Sequence, residues 1–198
     1  MNNNSEYHHR QSIRLKGYDY SREGLYFITI CAYKGQCFFG VIENKKMILT
    51  DAGKFVYQCW QNIPVHYQQV VLHNFIVMPN HVHGIIELKN DMVGIQTVGA
   101  QHFEPQNVRT QKFVPKNQFQ KIIPQSIGSI VRGYKIGVTK WYRDQLVGAQ
   151  HFEPIPLWQR NYYEHIIRNE QAYQYISEYI NNNPMNWDID KFRTGSTS

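Results

Sequence analysis

The sequence predicts an α+β domain, built on a four-stranded antiparallel sheet with helices on one face and one further helix at the end. Three observations carry this reading. Runs of β-branched and aromatic residues recur at 26–33, 70–77, 81–88 and 162–167. Apolar stripes of helical period fall between them, at 51–63 and 126–145. The resulting order is strand, helix, strand, strand, helix, strand, the split βαβ pattern of ferredoxin-like sheets. A third helix, from Glu170 to about Asn182, follows the last strand.

Taken in order, residues 1–9 are expected to be disordered, and a single domain is expected over 10–187. Arg10, Arg14, Lys16 and Arg22 surround Gly17-Tyr18-Asp19-Tyr20 and read either as a basic strap across phosphates or as a solvated arm, between which composition does not decide. Tyr26-Phe27-Ile28-Thr29-Ile30-Cys31 reads as the first core strand. Residues 38–42 and 46–49 read as a hairpin partner and its short return. Thr50 or Asp51 caps the first helix, whose apolar face runs through Phe55, Val56, Cys59, Trp60 and Ile63, with Pro64 soon after. The strand at 70–77 turns at Pro79-Asn80 into the strand at 81–88. Residues 89–125 are polar and aperiodic and read as a loop insertion. The octapeptide Val-Gly-Ala-Gln-His-Phe-Glu-Pro occurs there at 98–105 and again at 147–154. That spacing and brevity exclude a solenoid unit.

The second helix buries Ile127, Ile130, Val131, Tyr134, Val138 and Trp141 and turns Arg132, Lys135, Thr139 and Arg143 the other way. Residues 157–160 and 162–167 read as the last strand, Asn169 caps the third helix, and 188–198 reads as a frayed tail.

Composition narrows the function classes. The chain has 198 residues, a net charge of +6 and 14 Tyr, 10 Phe and 4 Trp, which suits a nucleic-acid partner. Cys31, Cys37 and Cys59 are odd in number and contain no C-x-x-C pair, which argues against a disulfide framework or zinc knuckle and for a reducing cytoplasm. The polar start lacks the apolar core of a signal peptide. No apolar run approaches the ~20 residues that span a bilayer. A cytoplasmic protein without a membrane partner is the expectation.

The chemistry centres on Met78-Pro79-Asn80-His81-Val82-His83-Gly84. Residues i and i+2 of a strand share a face, so His81 and His83 project together and can share a divalent ion. On the final helix Tyr179 and Asn183 also share a face and offer a phenol and an amide oxygen. Two imidazoles and an amide oxygen suit Mg²⁺ or Mn²⁺ at a phosphoryl-transfer site. Tyr162, Tyr163, Tyr173 and Tyr175 compete for any tyrosine role.

With Arg14-Leu15-Lys16-Gly17-Tyr18-Asp19-Tyr20 and Tyr26-Phe27-Ile28-Thr29 before it, and Trp158-Gln159-Arg160-Asn161-Tyr162-Tyr163 and Tyr179-Ile180-Asn181-Asn182-Asn183-Pro184 after it, the histidine motif resembles the REP-associated tyrosine transposases of the single-tyrosine HUH, IS200-like superfamily. The likeness spans about 10–90 and 124–187. It implies that His81 and His83 are the HUH histidines, Tyr179 the nucleophile and Asn183 the third ligand of Mg²⁺ or Mn²⁺. It implies a transposase that cleaves and rejoins single-stranded DNA carrying imperfect palindromic hairpins, through a 5′-phosphotyrosine link. Arg14, Lys16, Arg132, Lys135 and Arg143 are the candidate DNA contacts. A monomer acting in cis and a homodimer are both compatible. Two other classes remain: a domesticated nucleic-acid-binding protein without catalysis, and a metal-dependent hydrolase that uses water.

Overall fold

The structure is a computed structural model that describes residues 18–89, 123–146 and 156–193. Arg14, Lys16, both octapeptides, the proposed disordered start and nearly all of the insertion lie outside the described residues. Six strands and four helices are described: β1 Gly24–Cys31, β2 Gly40–Glu43, β3 Lys46–Leu49, α1 Asp51–Gln61, α2 Ile63–His66, β4 Val70–Val77, β5 His81–Leu88, α3 Ile127–Leu146, β6 Tyr163–Ile167 and α4 Glu170–Asn182.

Four strands form one sheet in the order β4-β5-β1-β6, every neighbouring pair antiparallel. This is the expected split βαβ arrangement. The strand β1 is central because all its residues from Tyr26 to Ile30 are buried, so it needs cover on both faces and both edges. The hairpin β2–β3 forms a separate two-stranded sheet. Residues 157–160 pair with the end of β1 only through the Ala32–Trp158 bridge and flanking hydrogen bonds, so β6 starts later than expected.

One face of the sheet packs on α1 and α3. Tyr26, Ile28 and Ile30 of β1 and Val82 and Ile86 of β5 meet Val56 and Trp60 of α1 and Ile127, Ile130, Val131, Tyr134 and Val138 of α3 in one apolar cluster. Thr50 caps α1 by accepting from Gly53 N at 3.1 Å. Pro64, expected to mark a stop, lies in the first turn of α2, where its missing N–H costs nothing. Trp60 stacks on Phe75 with ring centroids 4.4 Å apart. It lies so close to β5 that a Cβ on Gly84 would sit 2.3 Å from its ring. The glycine after the histidine pair is therefore required by the helix behind the strand.

The opposite face carries α4. Ile180, with Ala172, Tyr173, Ile176 and Tyr179, packs on Phe27, Ile85 and Ile167. A register shift in β4 between Leu72 and Phe75 marks a bulge at His73-Asn74. His73 Nδ1 lies 3.1 Å from Tyr173 Oη, and Asn74 Nδ2 donates to Asn181 Oδ1 at 3.1 Å. The bulge therefore grips α4 near both of its ends. Residues Asn183–Ile189 continue from α4 as a 3-10 helix, and the chain then crosses the site as far as Arg193. The tail expected to fray from residue 188 is thus folded through 193, because Phe192 finds buried aromatic partners there.

Candidate active site

The site is set by strand register. In the antiparallel pairing of β1 with β5, Thr29 faces His83 and Cys31 faces His81. The odd-numbered residues of β5 point to the α4 face, so both imidazoles look away from the apolar core. Their ring centroids are 4.5 Å apart.

Each histidine is oriented by a neighbour. His83 Nδ1 lies 2.8 Å from Thr29 Oγ1. His81 Nδ1 lies 2.8 Å from Asn80 Oδ1. The Asn80 amide is fixed at its other end, where Nδ2 donates to Gly35 O at 3.0 Å and to Phe192 O at 2.6 Å. An amide oxygen only accepts. His81 Nδ1 therefore carries the proton, and Nε2 of the neutral ring is a bare lone pair. That nitrogen is buried and has no hydrogen-bond partner. Burial pulls the His81 imidazole down to about 3, the Asn183 amide opposing the fall and the Lys191 ammonium adding to it. Burial, then His81 and Lys191, hold His83 well below the ordinary imidazole range.

Of the tyrosines weighed from sequence, Tyr179 is the one whose phenol lies on a histidine of this pair, with Oη 3.2 Å from His83 Nε2. Tyr173 is engaged by His73, Tyr162 donates to Glu164 Oε2 at 2.7 Å, and Tyr175 is 74% exposed. Tyr163 packs edge-on against Phe27. Burial and the Asp190 carboxylate push the Tyr179 phenol above its ordinary value, with Asn183 opposing.

Asn183 sits one turn beyond Tyr179 and is buried, and its Oδ1 has no hydrogen-bond partner. Two buried acceptors, His81 Nε2 and Asn183 Oδ1, thus lie beside one another without a donor. Sequence reading missed a further group here. An oxygen of Asp190 and ring nitrogens of His81 and His83 all lie within 4.8 Å of one another. Two imidazoles, a carboxylate and an amide oxygen make a donor set that fits a divalent cation, and the bare acceptors want one. Asn80 and Thr29, the orienting partners, were also missed. Only the adjacency of Asn80 to His81 was visible in the sequence as a signal.

A cleft of about 930 Å³ opens over His83, Tyr179, Asn183, Asp190 and Phe192. A second cleft of about 710 Å³ lies between α3 and residues 156–162, lined by Arg132, Lys135 and Arg143. Lys135 is already engaged there. Its Nζ donates to Gln159 O at 2.6 Å and Arg160 O at 3.2 Å, and burial pulls its ammonium down to about 8. Cys31, Cys37 and Cys59 are free thiols. No helix among the described residues is long and apolar enough to cross a membrane.

No family model matches the chain. An uncharacterised protein of Haemophilus influenzae is 47% identical over 188 residues, which is 95% of this chain and 95% of that protein. Among solved structures, that of a REP-associated tyrosine transposase bound to a REP hairpin is similar at a TM-score of 0.51 and 17% identity, over 88% of this chain and 74% of the other. A candidate transposase of Deinococcus radiodurans R1 reaches a TM-score of only 0.42 at 15% identity, over 85% and 95% of the two chains. The chain therefore belongs to one family with the Haemophilus influenzae protein, and its fold is that of the REP-associated tyrosine transposase.

Proposed function

We propose that this protein is a transposase that cuts and rejoins hairpin-bearing single-stranded DNA, with Tyr179 as the nucleophile. The observation that supports this most is the grouping of three things: the His81–His83 pair, two bare buried acceptors, and a tyrosine phenol that lies against His83 where that histidine lines the cleft. The solved transposase of like fold holds a REP hairpin, and a hairpin is the substrate form proposed for this chain too.

His81, His83 and Asn183, with Asp190 beside them, are the residues that would hold Mg²⁺ or Mn²⁺. Bound there, such an ion neutralises phosphate oxygens and polarises phosphorus for attack. The remaining chemistry belongs to the chain. Tyr179 is held protonated at neutral pH by burial and Asp190, so its attack needs positive charge beside it. Its Oη forms the new bond to phosphorus and the P–O3′ bond breaks. The phenol proton leaves to a base or water in the cleft, and the departing oxygen takes up a proton to become a 3′-OH. The 5′-phosphotyrosine keeps the energy of the ester, so a 3′-OH can reverse the step and join strands. Thr29 and Asn80 position the imidazoles throughout.

Incubation of labelled single-stranded hairpin DNA with Mn²⁺ tests this reading. An SDS-resistant adduct should form with the natural chain and be lost in Tyr179→Phe, while hairpin binding persists. Free cut product without an adduct would make water the nucleophile. Binding without cleavage would leave a domesticated DNA-binding protein.

A further inference from the structure

The cleft between α3 and residues 156–162 is outside the histidine site, yet the two share a wall. Gln159 and Tyr162 line both. That wall is held firmly. Gln159 N donates to Cys31 O at 2.9 Å, Trp158 bridges to Ala32, and Lys135 holds the carbonyls of Gln159 and Arg160. With Lys135 spent on the wall, the cleft still presents Arg132, Lys140, Arg143 and Arg160, against one carboxylate, Asp144. All four cations lie in exposed positions. The same cleft presents Ile136, 57% exposed.

We infer that this cleft binds the single-stranded DNA segment leading to the reacting phosphate, with its backbone on Arg132, Arg143 and Arg160 and its path crossing Gln159 and Tyr162 into the histidine cleft. The proposal rests on the DNA-cleaving reading above and names the substrate track of that site. Charge selects a polyanion. The exposed Ile136 side chain offers an apolar contact to nucleotide bases, which a single strand can present and a duplex keeps stacked inside. A concave cleft of this size also favours a flexible strand over a rigid duplex surface. Lys135 is a positioning residue here, since it fixes the wall rather than a phosphate.

The test is binding of a labelled hairpin with single-stranded flanks to the Tyr179→Phe chain, which needs no chemistry. In that background Arg132→Glu/Arg143→Glu is compared with Lys45→Glu/Lys46→Glu, an equal charge change on the β2–β3 hairpin. The cleft variant should lose at least about 10-fold in affinity, and its log–log salt slope should shrink by about 0.7 for each phosphate that is no longer neutralised. The hairpin variant should lose far less. Equal losses in the two variants, or no loss in the first, would overturn the substrate track. Adduct formation by the natural Tyr179 chain, measured in parallel, reports on the nuclease reading separately. An adduct with unchanged cleft binding refutes the track and leaves that reading standing, and absence of both adduct and DNA binding refutes both.

Discussion

The two faces of the sheet are made by the same two strands and are built on opposite terms. Towards α1 and α3, strands β1 and β5 send Tyr26, Ile28, Ile30, Val82 and Ile86 into one large apolar cluster. The buried carboxylate on that side, Glu164, sits on the edge strand β6 beside Tyr162. Towards α4 the same strands send Phe27, Thr29, His81, His83 and Ile85, and the apolar cluster there is small. One face concentrates stability. The other carries His81 Nε2, Ser177 Oγ and Asn183 Oδ1, buried without partners, whereas the unpartnered atoms of the first face are the indole nitrogens of Trp60 and Trp158. Buried acceptors so grouped lower stability and are kept where chemistry needs them.

That contrast can be broken from either side. Trp60→Ala should cost about 3–5 kcal/mol, because it removes the ring that joins α1 to the sheet, and chemical denaturation would read the loss. Gly84→Ala should cost about 1–3 kcal/mol, since its methyl would have to displace that ring. A neutral result there would mean that Trp60 is free to move and the two faces are less tightly joined than described. Asn80→Ala acts on the polar face. It frees the His81 ring, and Mn²⁺ affinity measured by calorimetry should fall about 10–100-fold.

A further effect, graded with conditions, is that of pH on stability. Burial holds both imidazoles below their unfolded value, so on acidification the unfolded chain takes up protons first. Stability should therefore fall as pH drops below about 6.5, and go on falling towards the His81 value of about 3. Melting temperatures taken at steps from pH 7 to pH 4 would show the slope, and His81→Asn should flatten part of it. A slope untouched by that change would place the acid sensitivity on the other face.

Much of this was legible in the sequence because it depends on period and local capping. The run of β-branched and aromatic residues at 26–31 placed β1, the spacing from Ile127 to Val138 placed α3, and Asn169 marked the start of α4, where its side chain accepts from Ala172 N at 2.8 Å. Strand alternation put His81 and His83 on one face, while spacing left Tyr179 open against Tyr162, Tyr163, Tyr173 and Tyr175; its phenol lies 3.2 Å from His83 Nε2. What escaped depends on contacts between distant segments. Asp190 reaches the histidines only because the chain after α4 folds back, and nothing local in Asp188-Ile189-Asp190-Lys191-Phe192 announces that turn. The bulge at His73-Asn74 escaped because both residues read as polar interruptions of a strand, while their partners Tyr173 and Asn181 lie on α4. Lys135 read as one cation among several until its carbonyl partners were in view.

The crossing of Phe192 over the histidines has a consequence in time. His81 is fully buried, with Phe192 4.8 Å from its ring centroid to centroid and the Phe192 carbonyl tied to Asn80. An ion held there as proposed would have to pass this covering stretch to reach His81 Nε2, and would leave past it again. Loading and unloading would then follow the opening rate of the segment after α4 rather than diffusion. A chelator added before the cation and one added after it would give different answers over the same minutes, and the order of mixing becomes part of any assay on this protein.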